Sequence, residues 1–284
     1  MTTKPRHIAL RWTLGVALLV SAAILPAYAV DAGGPARITI LDGEATLVDG
    51  AQRLVGMEGQ ALNEQMIIET GANTQLLRIE WPDGQTVDLG ANTRAMLSPP
   101  NLDARSSKRS TVYLLQGWAK QNSPVNAESK GIASPNFDIP TVTGAVTSYI
   151  DADETWLFAE SGSVLTVERG LGRGKPAAFD LRPGSAYKRL GDNPGTVMAR
   201  PSSAEMKRVP IAFRDPLPLC YECVKNRETE AKLLAEPTYI ELQPWLDAET
   251  AVRTGFIARF DELLRNKAFR CEIAANMRDH REWN

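Results

Sequence analysis

Cys220-Tyr221-Glu222-Cys223 is the spacing in this sequence best suited to covalent chemistry. Two thiols at i and i+3 can form a dithiol–disulfide pair, and a helix N-terminus at the first would activate it as a nucleophile. Cys271 follows about 50 residues later. In an oxidising compartment thiols pair, so a second reading joins Cys220 or Cys223 to Cys271. A closed loop of that length contributes roughly 2–4 kcal/mol. Because a proline-rich segment rather than a βαβ unit surrounds the motif, the staple is preferred to a redox motif. Either cross-pairing leaves one cysteine, free or joining two chains.

Other chemistry is sparse. Beyond residue 29 the sequence holds a single histidine, His280, near the chain end. Zinc sites and imidazole-activated nucleophiles are therefore poorly served. There is no P-loop, G-x-G-x-x-G or H-E-x-x-H. Leu171-Gly172-Arg173-Gly174-Lys175 lacks the Walker spacing and reads as a hairpin loop. Asp151, Asp153 and Glu154 lack the glycine and terminal glutamate of a calcium loop. Among 34 acidic residues no carboxylate pair stands out for glycoside hydrolysis. Trp81, Trp118 and Trp156 could stack on sugar, although strand tryptophans are usually core, and the sequence does not put all three on one face. The expectation is a protein that is not an enzyme, with no catalytic residues, no cofactor and no metal.

The compartment is written in the first thirty residues. Lys4, Arg6 and Arg11 precede an apolar run from Trp12 to Leu25, followed by Pro26-Ala27-Tyr28-Ala29. A basic start, a short apolar stretch and an A-x-A site make a secretory signal, cut after Ala29 with Ala27 and Ala29 as its small residues. The run is short of the roughly 20 residues that a membrane span needs. No cysteine follows the cut to carry a lipid, and no later stretch approaches span length. Removing the leader takes the formal charge from −2 to −5. An acidic chain without a basic stripe argues against nucleic acid as a partner.

From Arg37 to about Leu190 short alternating segments are separated by glycine turns. Asp42-Gly43, Asp49-Gly50 and Asp83-Gly84 read as hairpin signals. Further strands are expected at Thr111–Leu115, Val142–Ile150, Thr155–Ala159 and Val164–Glu168. The fold class is mainly β: a two-sheet sandwich, a barrel or a short β-solenoid over 37–190.

Gly191 to Pro218 carries Pro194, Pro201, Pro210, Pro216 and Pro218. Proline removes a donor and disfavours helix before it, so 191–235 reads as a strap or linker, with Ile211-Ala212-Phe213 able to seat in a groove. In 236–284 the period changes to that of a helix. Tyr239, Leu242 and Leu246 repeat, with Trp245 beside them; Val252, Phe256, Phe260 and Leu263 or Leu264 form a stripe; so do Phe269, Ile273 and Met277. About 50 residues make a marginal core, so these helices are expected to dock on the β body or to be stapled. Trp283 reads as a helix-docking residue.

Gly43-Glu44-Ala45, Gly59-Gln60-Ala61-Leu62, Glu69-Thr70-Gly71-Ala72-Asn73-Thr74, Trp81 through Leu89, Leu114-Leu115-Gln116-Gly117 and Ala159-Glu160-Ser161-Gly162-Ser163-Val164 occur in that order. Their succession, over most of Gly43 to Arg169, resembles the FecR-like domain of iron-dicitrate-type sensors. The resemblance implies a periplasmic β-structure of two sheets or a short coil. In the best-known members it stands outside a membrane segment and relays a receptor signal to a cytoplasmic anti-sigma region. Only Met1 to about Arg11 stands before the apolar run, so no such region is expected here, and Gly144-Ala145 replaces a typical Gly-Thr pair. Phe213–Pro218 and His280–Trp283 are similar to a C-terminal extension in some proteobacterial members, from which no activity follows.

The expected function is therefore a periplasmic interaction or signalling scaffold whose partner is an envelope protein. The alternative is a module binding peptidoglycan or another cell-wall glycan. A thiol–disulfide protein using Cys220 and Cys223 ranks below both.

Overall fold

The computed structural model describes residues 34–99, 110–124, 131–169, 177–278 and 280, all within the unit Ala32–Asn284. Ala27, Ala29, Trp283 and the loop Leu171–Lys175 lie outside the described residues.

The fold is mainly β, a large mixed sheet that does not close, with a few C-terminal helices. It is organised as two facing layers. The first contains β1 (Ala36–Asp42), β4 (Ala61–Leu62), β6 (Leu76–Glu80), β7 (Thr86–Leu89), β12 (Gly144–Ile150), β13 (Glu154–Ser161), β16 (Ala186–Leu190) and β17 (Thr196–Met198). The second contains β2 (Ala45–Asp49), β3 (Gln52–Val55), β5 (Ile67–Thr70), β8 (Arg94–Leu97), β10 (Gly131–Ala133), β11 (Phe137–Ile139), β14 (Val164–Glu168) and β15 (Ala178–Leu181). The long β9 (Ser110–Ser123) joins both: its first half pairs with β8 and, in parallel, with β10, and its second half pairs with β7 and β12. The architecture is the sandwich of the sequence alternatives.

β9 crosses between layers at Gly117, which has φ +97°. Before it Val112 and Leu114 face the central core; after it Ala119 does. The alternation therefore slips by one residue at the bend, so one strand serves the same core in both sheets. A Cβ on Gly117 would lie 2.5 Å from Thr93 Cα, a position only glycine tolerates.

Gly43 makes a second corner, and this corrects a sequence expectation. β1 and β2 do not pair as a hairpin; β1 pairs with β4 and β6, and β2 with β3 and β5. Asp42-Gly43 turns the chain from one sheet into the other, whereas Asp49-Gly50 and Asp83-Gly84 do close hairpins. Hydroxyl groups bridge the ladders where these corners break them. Thr74 Oγ1 accepts from Glu44 N at 3.1 Å and donates to Glu44 O at 2.7 Å. Thr93 Oγ1 accepts from Trp118 N at 3.0 Å, Thr70 Oγ1 accepts from Thr93 N at 2.9 Å, and Ser161 Oγ accepts from Ala145 N at 3.0 Å. Buried backbone donors need such partners. Several residues that carry the family resemblance, among them Gly43, Thr70, Thr74, Gly117 and Ser161, thus share one structural task.

The chain after β17 covers the outer face of each layer in turn. α1 (Ser203–Arg208), capped by Ser202 and Glu205, and a 3-10 turn (Ile211–Phe213) lie on the first sheet. There Val209 and Phe213 pack with Leu76, Trp156 and Ala186. Phe213 is the seated residue, while Ile211 is 75% exposed. After α2 (Tyr221–Val224) the segment Lys232–Leu234 hydrogen-bonds along the free edge of β3. α3 (Tyr239–Leu246), α4 (Thr250–Arg253), α5 (Phe256–Arg259), α6 (Asp261–Arg265) and α7 (Lys267–Asn276) then cap the second sheet. Their apolar faces bury Val48, Ile67, Met96, Tyr113 and Ala133. The stripe from Val252 to Leu263 is buried as its spacing predicts, but it is divided among three short helices. Gly255, at φ +96°, breaks the first from the second. Among the described residues no helix is long and apolar enough to cross a membrane.

Candidate functional site

The outer face of the first sheet carries charges inside strands that are otherwise buried. On β6 Leu77 and Ile79 point to the central core, so Arg78 and Glu80 point outward under the strap. Arg78 forms a two-pronged ion pair with Asp88 at 2.6 and 2.8 Å, and its Nη1 donates to Leu217 O at 3.2 Å. Burial works against the guanidinium charge, but the hydrogen bonds and charge of Asp88, with Glu80 beyond, outweigh it and raise the Arg78 pKa. Lys120 Nζ donates to Glu160 at 2.7 Å and to Phe213 O at 2.6 Å. Glu80 Oε2 accepts from Cys220 N at 2.8 Å and Tyr221 N at 2.7 Å. The buried Arg78 and Glu80 and the partly buried Lys120 thus hold the strap backbone at residues 213, 217 and 220–221.

An aromatic row lies beside them. Trp118 and Tyr149 have centroids 4.6 Å apart, Trp118 and Trp156 5.8 Å, and Trp156 and Phe158 5.9 Å. Two of the three tryptophans therefore do share a face. Trp81 packs instead against the central core and lines a separate cleft with Leu62 and Leu97. The row is not an open platform, because Val209 and Phe213 pack over it and Trp156 is 2% exposed. Arg208 sits 5.2 Å from the Tyr149 ring and forms an ion pair with Glu154 at 2.7 Å. Asp151 accepts from Asp153 N and Glu154 N, the bonds of a tight turn.

Cys220 caps α2 and Cys223 lies within its first turn, where Cys223 N donates to Cys220 O at 3.0 Å. Hydrogen bonding toward the Cys223 side chain, then burial, then the charges of Cys223, Glu80 and Glu58 push the Cys220 thiol up to about 11. Cys271 is exposed on α7, whose neighbours Phe269 and Ile273 face the second sheet's cap. All three cysteines are free thiols, and the structure brings Cys220 and Cys223 together.

The helical cap is fixed by polar anchors as well as by its core. Trp245 Nε1 donates to Glu69 at 3.0 Å. Arg259 donates to Gln65 O at 2.6 Å and Val48 O at 2.9 Å. Arg169 bonds Glu249 at 3.1 Å, and Arg53 pairs with Glu241. A cleft of about 210 Å³ in this cap is lined by Pro237, Tyr239, Ile240, Leu263 and Phe269, with Glu236 and Glu272 at its lining. Ile240 is 77% exposed there.

The motif reading found the cysteines but not Glu80, Arg78 or Lys120. Their signal was two charges within Leu76–Glu80, a strand whose every residue is buried; burial itself is not visible in one sequence.

No protein-family model and no curated protein matches the chain. Two crystal structures, both of candidate anti-sigma factors from Parabacteroides distasonis, are similar to it. One is 15% identical over 54% of this chain and 58% of the other, with a TM-score of 0.34. The second is 18% identical over 43% and 53%, with a TM-score of 0.32. The chain spans just over half the length of the structures it matches. Likeness this distant carries no functional inference.

Proposed function

We propose that this chain is a non-enzymatic interaction and signalling module of FecR type, exported to the periplasm, whose partner is an envelope protein docking on the helical cap. The compartment rests on the leader motif alone. The observation that carries the docking site is Ile240, 77% exposed beside an apolar cleft on a cap whose other face is packed on the sheet. Each sheet face has a covering from the chain itself, and the cap carries the most exposed large hydrophobic side chain among the described residues, Ile240. Glu236 and Glu272 at the cleft suit a partner that inserts an apolar side chain flanked by lysine or arginine.

Photo-crosslinking in intact cells tests this reading. A crosslinker at position 240 is expected to trap one envelope protein reproducibly, whereas one at the fully exposed Asp192 traps none. Equal labelling at the two positions, or none at 240, counts against it. The glycan alternative requires the strap to leave the aromatic row; retention on purified sacculi would favour it.

A further inference from the structure

Glu80 is 0% exposed, and only one of its oxygens is satisfied. Oε2 takes both backbone donors at the start of α2. Oε1 is buried without a hydrogen-bond partner among the described residues. Leaving such a group unpaired costs about 1–3 kcal/mol or more for a charge, and capping a four-residue helix needs one oxygen only. The unpaired oxygen belongs to the carboxylate that accepts from Cys220 N, and Cys223 N donates to Cys220 O one turn on. Cys223 is exposed and Cys220 half-buried.

We propose that Cys220 and Cys223 are a redox-responsive pair: an external disulfide oxidises them to an intramolecular disulfide, and the Glu80 carboxylate takes the proton from Cys220. Cys223 is exposed and Cys220 half-buried, so an external disulfide reaches Cys223 first and the Cys223 thiolate is the attacking group. That thiolate attacks one sulfur of the donor disulfide. The donor S–S bond breaks, and the departing thiolate takes up the proton that Cys223 gave to solvent. Cys220 then passes its proton to Glu80 and attacks Cys223 Sγ. The mixed S–S bond breaks, and the second departing thiolate collects that proton through water. Two electrons move from the cysteines to the donor, which ends as two thiols. The pair is modified once per event and turns over no substrate. It lies where the strap leaves the first sheet for the edge of β3, so its redox state acts on the segment that joins the two coverings.

The test equilibrates full-length protein with glutathione and glutathione disulfide at graded ratios, then acid-quenches, alkylates and maps the masses. Cys220 and Cys223 are expected to become protected together by the mass of an intramolecular disulfide, with Cys271 alkylated or carrying glutathione but joined to neither. A pair that stays alkylated in glutathione disulfide alone, or a disulfide that includes Cys271, overturns the proposal. Glu80→Gln is expected to slow resolution of the glutathione adduct at least about tenfold and to flatten its pH profile. Should that variant fail to fold, Cys220→Ser is expected to accumulate the adduct on Cys223, and Cys223→Ser to be modified at least about tenfold more slowly. An unchanged rate and pH profile in Glu80→Gln, or equal rates in the two serine variants, overturns it.

Discussion

Trp245 Nε1 donates a 3.0 Å hydrogen bond to Glu69 Oε1, tying the buried face of the helical cap to β5 of the sheet beneath. Glu69 also pairs with Arg94 at 3.2 Å, so the indole joins a charged pair that the sheet supplies. The ring is fully buried as well as hydrogen-bonded, so packing and the polar bond both hold α3 on the sheet.

Trp245→Phe should therefore cost about 1.5–3 kcal/mol, the value of a hydrogen bond to a charged group. Trp245→Ala should cost about 3–5 kcal/mol through the cavity it leaves. Urea unfolding followed by circular dichroism measures both; a Trp245→Phe variant as stable as the wild type would mean that the hydrogen bond contributes nothing.

Arg78 and Asp88 are both nearly excluded from water. Arg78→Met should destabilise by about 3–5 kcal/mol, because it strands the Asp88 charge. The double change Arg78→Met with Asp88→Leu should recover most of that. If the double variant is as weak as the single, the loss comes from the freed Leu217 carbonyl and not from the stranded carboxylate.

At the corners, Gly117→Ala forces a Cβ to 2.5 Å from the Thr93 backbone at φ +97°. A loss of about 1–3 kcal/mol is the minimum expected for such strain. Gly50→Ala, at φ +56° with open space around it, should lose less. Comparing their denaturation midpoints separates close approach from conformational strain alone.

Acid should loosen α1. The hydrogen bonds of Arg208 and then Lys188 outweigh burial and hold Glu154 below its ordinary 4.5. A carboxylate lowered in the folded state stabilises above 4.5 and loses that contribution as pH falls through its folded value. Hydrogen-exchange protection across Ser203–Arg208, taken relative to the intrinsic rate at each pH, should fall below about pH 4 and stay flat from pH 5 to 8. A loss of protection in that upper range would assign the change to another group.

Much of this fold can be read from residue order. Alternation located most strands, proline density located the strap, and four-residue spacing located the buried side of the helical cap. The corners could not be read in the same way. Glycine at positive φ serves a hairpin and a sheet-crossing bend alike, and the choice at Asp42-Gly43 is made by the pairing of β1 with the distant β6. The stripe from Val252 to Leu263 gave the right buried residues but hid the break at Gly255, because burial on the sheet overrides helix continuity. Glu80 stayed unseen because its role arises from Cys220, 140 residues away.

The most direct measurement for the proposed function is in-cell crosslinking of wild-type protein against Ile240→Asp, with thermal melting of both variants. Ile240 is 77% exposed, so the substitution should leave the melt unchanged. The account predicts that one envelope protein is captured by the wild type and lost from the variant at matched stability. Undiminished capture of the same protein by Ile240→Asp would contradict it.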